Sequence, residues 1–434
     1  MAQGALPGFR DFYPEQFAER AHILGVWRDV ARRFAFAEYD GPPLEPLELY
    51  TKKSGDEIVG ELYNFTDKGG REVALRPEMT PTLARMAAAR ANALRKPVRW
   101  FSMPQLFRYE RPQRGRLREH FQLNVDIIGE PDVTADAELL AVAIEVMRGC
   151  GLTSSDVRAR VSDRRLLGAL IGALGVGDDR VPAVFKIVDK LERQPRDVTS
   201  EKLAALGMTA DAIERLFALM GNVSLDDIER QFAHVPEVMR LAGDLRRYFA
   251  CLDGLGVSDW VTIDLKIVRG LAYYTGIVFE LFDARSELRA ICGGGRYDNL
   301  LESLGGVDLP ALGFGMGDVV LTELLRDRSL LPGGAEGPQV WVAAQASESS
   351  PGFAVRRVST TLRRAGFSVE YALKHQSVNS QESAAKKAGA SFFVLLPPSD
   401  SELASAEVRS YRDKSAHTPA VADLVDFFAT QLRT

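Results

Sequence analysis

Five arginines lie close together in this chain, in a segment of mixed charge that ends in a predicted strand. The segment runs from Phe107 to Gly129 and reads FRYERPQRGRLREHFQLNVDIIG; its arginines are Arg108, Arg111, Arg114, Arg116 and Arg118. Apolar and polar residues then alternate strictly, which is typical of a β-strand. That period places Gln122, Asn124 and Asp126 on one face of the strand. Guanidinium groups beside a polar strand face suit the binding of a polyanion together with a small polar substrate.

The same segment has a simpler interpretation. A charge-rich hairpin is most often the solvated edge of a sheet, and such alternation fits any half-exposed strand. Composition alone favours this simpler interpretation. A binding role is preferred only because three further segments carry residues suited to the same chemistry.

The first of these segments, ALRPEMTPTLARM at 74–86, joins a predicted strand to a predicted helix. Glu78 or Thr80 could simply cap that helix, which is the common role of such residues at helix starts. Alternatively, the Glu78 carboxylate could pair with the ammonium group of a substrate.

The other two segments combine glycines with polar and aromatic residues. In KIVRGLAYYTGIVFE at 266–280, Gly270 would let the backbone approach a ligand closely beside Arg269. If this segment is a strand, Tyr273 and Tyr274 face opposite ways, one towards the core and the other towards a site. In AICGGGRYDN at 290–299, three successive glycines usually mark a ligand or another backbone packed close. Neither the GxGxxG nor the GxxxxGK phosphate-binding pattern is present, which excludes the nucleotide folds that those patterns imply.

Composition bounds the class of protein. With 434 residues, 46% of them hydrophobic, the chain is long enough for two or three domains. A net charge of −5 gives no global signal for nucleic acid, so RNA contacts would use local patches, and no DNA partner is expected. Three widely spaced cysteines argue against disulfides and metal sites and favour a reducing compartment. No signal peptide or membrane-length apolar run is found, so we expect a cytoplasmic protein without membrane contact.

Hydrophobic periodicity and breaker residues divide the chain into a mixed α+β core, a helical insertion and a small α/β module. A helix is predicted at about 15–35, and another begins after an N-cap at Thr134 and ends at 149–151. Residues from about 165 to 250 are rich in Leu and Ala with few strand signals. Gly and Pro mark a linker at 330–338. The last segment, 339–434, predicts alternating strands and helices, including a final helix from Ala420.

Taken together, LRPEMT, FRYERPQRGRLRE, IVRGLAYYTG and CGGGRYDN resemble, in order and spacing, the motifs of the histidyl-tRNA synthetase family. The resemblance continues from GFRDFYP near the start to the C-terminal module. It implies an α+β fold, with a class II synthetase catalytic core built on an antiparallel sheet at 1–164 and 251–329. It also implies a helical insertion at 165–250 and, after the linker at 330–338, an α/β anticodon-binding domain at 339–434.

The resemblance further implies a histidine–tRNA ligase that forms histidyl-adenylate from L-histidine and ATP and transfers histidine to tRNA(His). ATP is a substrate, Mg²⁺ is expected with it, and no protein-bound metal is expected. Pro42 matches the proline of a homodimer interface. Arg108 and Arg269 match catalytic arginines at the α-phosphate. The ATP-contacting positions are Arg108, Glu110, Arg116 and Phe121, and those that line the histidine pocket are Glu78, Thr80, Gln122, Asp126, Tyr273, Tyr274 and Gly294.

The sequence departs from the family pattern in three places. Val320 stands where the third class II signature usually has an arginine, and Ala272 stands where an acidic residue often precedes the tyrosines. The pair His120–Phe121 reverses a frequent Phe-His order, so the ring that stacks on adenine is left open.

Two alternatives remain open from the sequence. The family has a non-catalytic relative, the regulatory subunit of ATP phosphoribosyltransferase, which binds histidine as a signal. Such subunits lack the anticodon-binding domain that 339–434 resembles. A related class II synthetase for glycine, proline or threonine is the other, and RGLAYYTG together with Asp126 argues against it.

Overall fold

The computed structural model describes residues 4–51, 60–221, 223–269, 273–285, 288–334, 336–344, 352–397 and 404–432. The chain forms two compact units, Met1–Gly333 and Gly334–Thr434. The division between them falls within the segment 330–338. Each unit has its own sheet and its own hydrophobic core.

The first unit is built on a large sheet. Its strands and those of a small companion sheet are β1 Ala37–Glu38, β2 Leu44–Pro46, β3 Asn64–Thr66, β4 Glu72–Leu75, β5 Val98–Ser102, β6 Gln105–Phe107, β7 Glu119–Ile128, β8 Val157–Asp163, β9 Val261–Ile263, β10 Ile277–Asp283, β11 Cys292–Arg296 and β12 Ala311–Gly317. Among the described residues the large sheet has nine strands in the order β1-β5-β7-β12-β11-β10-β8-β9, with β6 also paired to β7. The small sheet has the order β2-β4-β3.

Most neighbours in the large sheet are antiparallel, and only β1–β5 and β8–β9 are parallel pairs. The longest strand, β7, lies inside the sheet, between β5 and β12. The interpretation of the arginine-rich segment as a solvated sheet edge is therefore wrong. Leu123, Val125 and Ile127 are buried in the core, as the alternation predicts.

Helices cover the large sheet. In the first unit they are α1 Pro14–Arg33, α2 Glu48–Thr51, α3 Thr80–Ala89, α4 Val133–Gly149, α5 Arg164–Ala173, α6 Val181–Val188, α7 Arg196–Ala205, α8 Ala210–Leu219, α9 Leu225–Gln231, α10 Pro236–Gly254, α11 Leu300–Gly305 and α12 Asp318–Asp327, with 3₁₀ turns at Leu191–Arg193 and Ser258–Trp260. Helix α4 packs on β7 and β12 and also contacts α1 and α10. It is the central helix of the core.

The start of α4 differs from the prediction. Its N-cap is Asp132, whose carboxylate accepts a hydrogen bond from the backbone N–H of Thr134 at 2.9 Å. The predicted cap at Thr134 is wrong because an aspartate two residues earlier satisfies the same free N–H. The predicted end is confirmed, since the helix closes at Gly149 and Gly151 adopts a left-handed φ of 83°.

Helices α5 to α10 confirm the predicted helical stretch between strands β8 and β9. Their buried residues, such as Leu170, Leu216 and Leu245, belong to the same hydrophobic core as the sheet. These helices are therefore continuous with the core rather than packed only on one another. The domain boundary at 165–250 stays a prediction.

The second unit is a small α/β structure. Its elements are β13 Val340–Ala344, α13 Phe353–Arg364, β14 Val369–Glu370, α14 Val378–Lys387, β15 Phe392–Leu396, β16 Glu407–Ser410, β17 Ala416–His417 and α15 Leu424–Gln431, with a 3₁₀ turn at Val421–Asp423. The sheet order is β14-β13-β15-β16-β17, parallel from β14 to β15 and antiparallel beyond. The strands β16 and β17 were not predicted because they are short and carry polar residues, and β17 lies at the edge of the sheet. No helix in the described part of the chain is long and apolar enough to cross a membrane.

Candidate active site

A cavity of about 810 Å³ opens beside β7 and β12. It brings together five of the predicted site residues, which are Arg108, Glu110, Arg116, Gln122 and Arg269. Seven basic side chains line it against four acidic ones, although the whole chain carries a net charge of −5. A local excess of positive charge of this kind suits a polyanionic ligand.

The arginine-rich loop folds back on itself at one wall of the cavity. The Arg108 Nε donates a hydrogen bond to the carbonyl of Pro77 at 2.9 Å, and its backbone N–H donates to Arg118 at 2.9 Å. Arg116 pairs with the buried Glu110 carboxylate, with Nε and Oε2 2.5 Å apart. Because both guanidinium groups are held by neighbours, they are oriented before any ligand binds.

Arg269 lines the same cavity, at a strained point of the backbone. Its φ is 58°, which few residues other than glycine adopt. The Arg164 side chain supports this turn by donating to the carbonyls of Val268 and Arg269. The Arg269 side chain pairs with Glu280 on β10 and lies 5.6 Å from the centre of the Tyr274 ring. Burial disfavours the charge, but Tyr274 and Glu280 outweigh it and hold the pKa of Arg269 above its usual value.

The three glycines of β11 are closely packed, and Gly293 lies directly against Arg269. A Cβ on Gly293 would collide with the Arg269 guanidinium, one on Gly294 would meet Phe314 and the Gly313 carbonyl, and one on Gly295 the Ile277 carbonyl. The prediction that these glycines mark a close approach is confirmed. The role of Gly294 in binding histidine stays a prediction.

Three tyrosines form a cluster that leads from Arg269 to Asp126. The rings of Tyr273 and Tyr274 are 4.9 Å apart, and those of Tyr273 and Tyr297 are 5.8 Å apart. Tyr273 and Tyr274 precede β10 in a turn. The prediction that they face opposite ways was therefore wrong, because it assumed a strand.

Asp126 is buried at the end of this cluster. Its Oδ1 accepts a hydrogen bond from the Tyr297 hydroxyl. Burial raises the pKa of Asp126 to about 7, and the hydrogen bond from Tyr297 only partly offsets that rise. The facing residue on β12 is Gly313, where a Cβ would collide with the Asp126 carboxylate. This carboxylate is thus a hydrogen-bond acceptor whose charge depends on what binds beside it.

Glu78 and Thr80 lie at the start of α3, but neither caps it. The N-cap is Met79, whose side chain makes no cap hydrogen bond, and Thr80 is the first helical residue. The capping interpretation is therefore wrong. Glu78 is buried near the tyrosine cluster. Burial raises the pKa of Tyr273, and the neighbouring Tyr274 and Glu78 add to the rise.

Phe121 is not brought to the cavity. Its ring packs edge-on against Phe12 at 6.4 Å and lies under the Arg20 guanidinium at 4.7 Å. The neighbouring His120 lines the cavity instead. Burial lowers the pKa of His120 to about 3, and Arg108 reinforces that effect, so the ring is neutral at physiological pH.

Sequence reasoning missed several residues of this site. Glu280 and Tyr297 hold Arg269 and Asp126, and Gly313 and Gly315 make room for Asp126 and Gln122. Two signals were available, namely a lone carboxylate in the apolar run IVFELF and the alternating glycines of GFGMG. Gly270 and Ala272, which the sequence also singled out, lie outside the described residues.

Comparison with known proteins agrees with this geometry. Residues 8–318 match the family model described as histidyl-tRNA synthetase. The chain belongs to the histidyl-tRNA synthetase family. A histidine–tRNA ligase from Opitutus terrae is 44% identical over 98% of this chain and 99% of that protein. A chloroplastic/mitochondrial histidine–tRNA ligase from Arabidopsis thaliana is 41% identical over 93% of this chain and 82% of that protein.

Among solved structures, a histidyl-tRNA synthetase from Nostoc sp. PCC 7120 superposes with a TM-score of 0.85, at 23% identity. It covers 99% of this chain and 100% of that one. At that identity the likeness establishes the fold. The expected α+β fold of a class II synthetase is confirmed.

Asp126→Asn should change how the stability of the protein depends on pH. The pKa of Asp126 is about 7 in the folded protein, whereas an unfolded aspartate titrates near pH ~3.9. The folded state therefore keeps a proton that the unfolded state loses between these values. Its unfolding free energy falls as pH rises through that window, by at most about 1.4 kcal/mol per pH unit.

Asparagine keeps an acceptor for the Tyr297 hydroxyl but does not titrate. We expect the difference in unfolding free energy between the variant and the native chain to grow from about pH 4 to about pH 7 and then to level off. Urea unfolding, followed by tryptophan fluorescence at several pH values, measures it. A difference that is constant with pH would contradict the raised pKa.

Proposed function

We propose that this chain is a histidine–tRNA ligase, which activates L-histidine with ATP and then transfers histidine to the 3′ end of tRNA(His). The observation that carries this proposal is one cavity lined by Arg108, Arg116 and Arg269, with the buried acceptor Asp126 on β7, the strand whose Gln122 also lines that cavity. Cations suit the phosphates, and the carboxylate suits an imidazole N–H. The 44% identity to a histidine–tRNA ligase supports the same activity.

In the first step, a carboxylate oxygen of histidine attacks the α-phosphorus of ATP. The bond from that phosphorus to the oxygen bridging the β-phosphate breaks, and pyrophosphate leaves with the electron pair. Little covalent work falls to the protein, so positioning and charge neutralisation dominate. We assign Arg108 and Arg269 to the α-phosphate because both line the cavity and a guanidinium group can bind phosphate through two donors.

The histidine side chain is assigned to the space beside Asp126 and the tyrosine cluster of Tyr273, Tyr274 and Tyr297. An analogue without an imidazole N–H would leave the buried Asp126 acceptor unpaired, which gives strong discrimination without editing. Glu78 and Thr80 are assigned to the α-amino group. Gln122 and Gly294 complete the proposed pocket.

Glu110, Arg116 and a ring beside β7 are assigned to the rest of ATP. For the adenine, the arrangement favours His120, which lines the cavity as a neutral ring. Phe121, the residue expected from the sequence, packs against Phe12 instead. In the second step, a ribose hydroxyl at the 3′ end of the tRNA attacks the adenylate carbonyl, and AMP leaves.

Mg²⁺ is assigned to ATP itself. In the described part of the chain, no group of three or more His, Cys, Asp or Glu side chains is arranged to hold a metal ion. Mg²⁺ commonly binds nucleotide phosphates with one or two carboxylates, and Glu110 at the cavity wall fits such a role.

The remaining partners follow from surfaces rather than from the cavity. A homodimer is supported by two exposed apolar residues of the small sheet, Leu44 and Phe65, whose exposed fractions are 37% and 50%. Leu44 follows Pro42 closely in the sequence, and Phe65 lies on β3, which belongs to the same sheet. Anticodon binding is assigned to the unit Gly334–Thr434. Three free cysteines, two of them buried, support a cytoplasmic location.

The direct test of the activity is ATP–pyrophosphate exchange, measured on the purified protein with each of the twenty amino acids in turn. We expect exchange with histidine alone, followed by charging of tRNA(His). Histidine binding without exchange would instead favour a sensing protein such as the regulatory subunit of ATP phosphoribosyltransferase. Exchange with glycine, proline or threonine would reassign the substrate.

Arg269→Ala should reduce adenylate formation by roughly 100- to 1,000-fold, because it removes a fixed cation from the α-phosphate. Arg269→Lys should recover only part of the rate, since one ammonium group cannot replace two guanidinium donors. Single-turnover adenylate formation measures the loss, with circular dichroism as the check on folding. A rate within about threefold of the native rate would remove Arg269 from the mechanism.

His120→Ala and Phe121→Ala should have different effects. Loss of the His120 ring removes a stacking surface and should raise the KM for ATP by roughly tenfold, since such stacking contributes about 1–3 kcal/mol. Loss of Phe121 removes core contacts with Phe12 and should chiefly lower the melting temperature. The reverse pattern would return the adenine contact to Phe121.

A further inference from the structure

Four cations of the cavity have no part in the roles assigned so far, and two of them, Arg160 and Lys266, pair with Glu192. Arg193 and Arg289 also line the cavity, and both side chains are exposed to solvent. Neither forms an ion pair with a carboxylate in the described part of the chain. Arg116, which lines the same cavity, pairs with Glu110 at 2.5 Å. Arg193 and Arg289 therefore line the cavity without a direct ion pair of their own, and Glu110, whose charge acts on Arg289, is already paired with Arg116.

Arg289 lies beside Val320, the position of the cavity where the family pattern has an arginine. A Cβ placed on Gly115, at the tip of the arginine-rich loop, would lie 3.3 Å from Cγ2 of Val320 and 3.9 Å from Cδ of Arg289. The two side chains thus reach the same point from different elements. Val320 comes from α12, and Arg289 comes from the loop that precedes β11.

Arg193 is brought to the cavity by an anchored turn. The 3₁₀ turn Leu191–Arg193 contains Glu192, whose carboxylate pairs with Arg160 at 2.5 Å and with Lys266 at 2.8 Å. Arg160 lies on β8, and Lys266 follows β9, so these pairs attach the helical segment to the rim of the cavity. Arg193, the next residue, is fixed over the same opening.

These cations interact with one another. Desolvation lowers the pKa of Arg289, the positive charges of Arg116 and Arg193 lower it further, and the Glu110 carboxylate only partly offsets this. Like charges gathered at one opening repel each other unless an anion lies between them. Arg108 and Arg269 are already assigned to the α-phosphate, so the additional cations suit a ligand with several more negative charges.

We propose that Arg193 and Arg289, together with Arg116, bind the β- and γ-phosphates of ATP and the pyrophosphate that leaves, with Arg289 supplying the charge that Val320 lacks. This inference rests on the proposed function. When the bond between the α-phosphorus and the bridging oxygen breaks, both electrons stay on that oxygen. The negative charge that develops on pyrophosphate is then neutralised by these guanidinium groups, which need no proton transfer.

The test compares ligands that differ only in the phosphate tail. Calorimetric titration of the full-length protein with ATP, AMP and pyrophosphate should show that Arg289→Ala and Arg193→Ala each weaken ATP and pyrophosphate about tenfold, the usual size for a lost charge-assisted contact. Binding of AMP should stay within about twofold. Arg285→Ala and Lys190→Ala are the matched controls, because each removes a nearby cation that does not line the cavity.

A second variant tests the shared location. Adding Val320→Arg to Arg289→Ala should restore the affinity for ATP and pyrophosphate, because both side chains reach the same point beside Gly115. If ATP, AMP and pyrophosphate bind to Arg289→Ala as they do to the native protein, the inference is wrong. Weakened tRNA binding with unchanged ATP binding would also overturn it and place these cations on the RNA backbone.

These binding measurements separate the inference from the function on which it rests. Suppose that the native protein shows no amino-acid-dependent exchange, yet Arg289→Ala binds ATP and pyrophosphate more weakly. The proposed ligase activity would then be wrong, and the proposed phosphate site would still be supported. Suppose instead that exchange with histidine occurs and that neither arginine variant changes the KM for ATP or for pyrophosphate. The ligase activity would then be supported, and the phosphate site would be wrong.

Discussion

Polar side chains packed directly on glycine backbone are the constraint on which the rest of this site depends. Arg269 lies on Gly293, Asp126 lies on Gly313, and a Cβ on Gly315 would collide with Gln122. The sheet order β7-β12-β11-β10 brings these glycines and side chains together in adjacent strands. A single methyl group at these glycines would displace a charged or polar group from its place. The glycines thus set the depth at which ligand-binding groups lie, which side-chain chemistry alone could not do.

Burial at this depth disfavours the charged forms of Arg269 and Asp126, and their partners offset the desolvation of the two groups to different extents. Arg269 is partly buried but has Glu280 as a partner, so it stays charged. Asp126 receives only the Tyr297 hydroxyl, so burial raises its pKa to about 7. One group is therefore a permanent cation, whereas the other changes charge in the physiological range. That difference suits a phosphate on one side of the pocket and an ionisable imidazole on the other.

Local patterns predicted those parts of the structure that depend on local sequence. Strand β7 follows from the alternation after Phe121, and the helices from α5 to α10 follow from their composition. The tyrosine pair was misplaced because its neighbours read equally well as a strand and as a turn. Tyr297 was missed because its partner Asp126 lies 171 residues away, and no periodicity reports such a contact. Five residues that line the cavity were named by resemblance, whereas Glu280 and Tyr297, which hold Arg269 and Asp126, became visible only in the fold.

The distribution of charge bears on whether this cavity senses histidine or activates it. A histidine sensor requires a group for the imidazole, such as Asp126, and a partner for the ammonium group, such as Glu78. It gains nothing from guanidinium groups that repel each other across an open cavity. Here Arg193 and Arg289 stand at that cavity without carboxylate partners in the described part of the chain, next to Arg116. A bound polyanion would relieve that repulsion, and ATP is the polyanion that activation of histidine requires. The uncharged Val320 therefore does not argue against catalysis, because Arg289 brings a cation to the same point from the loop that precedes β11.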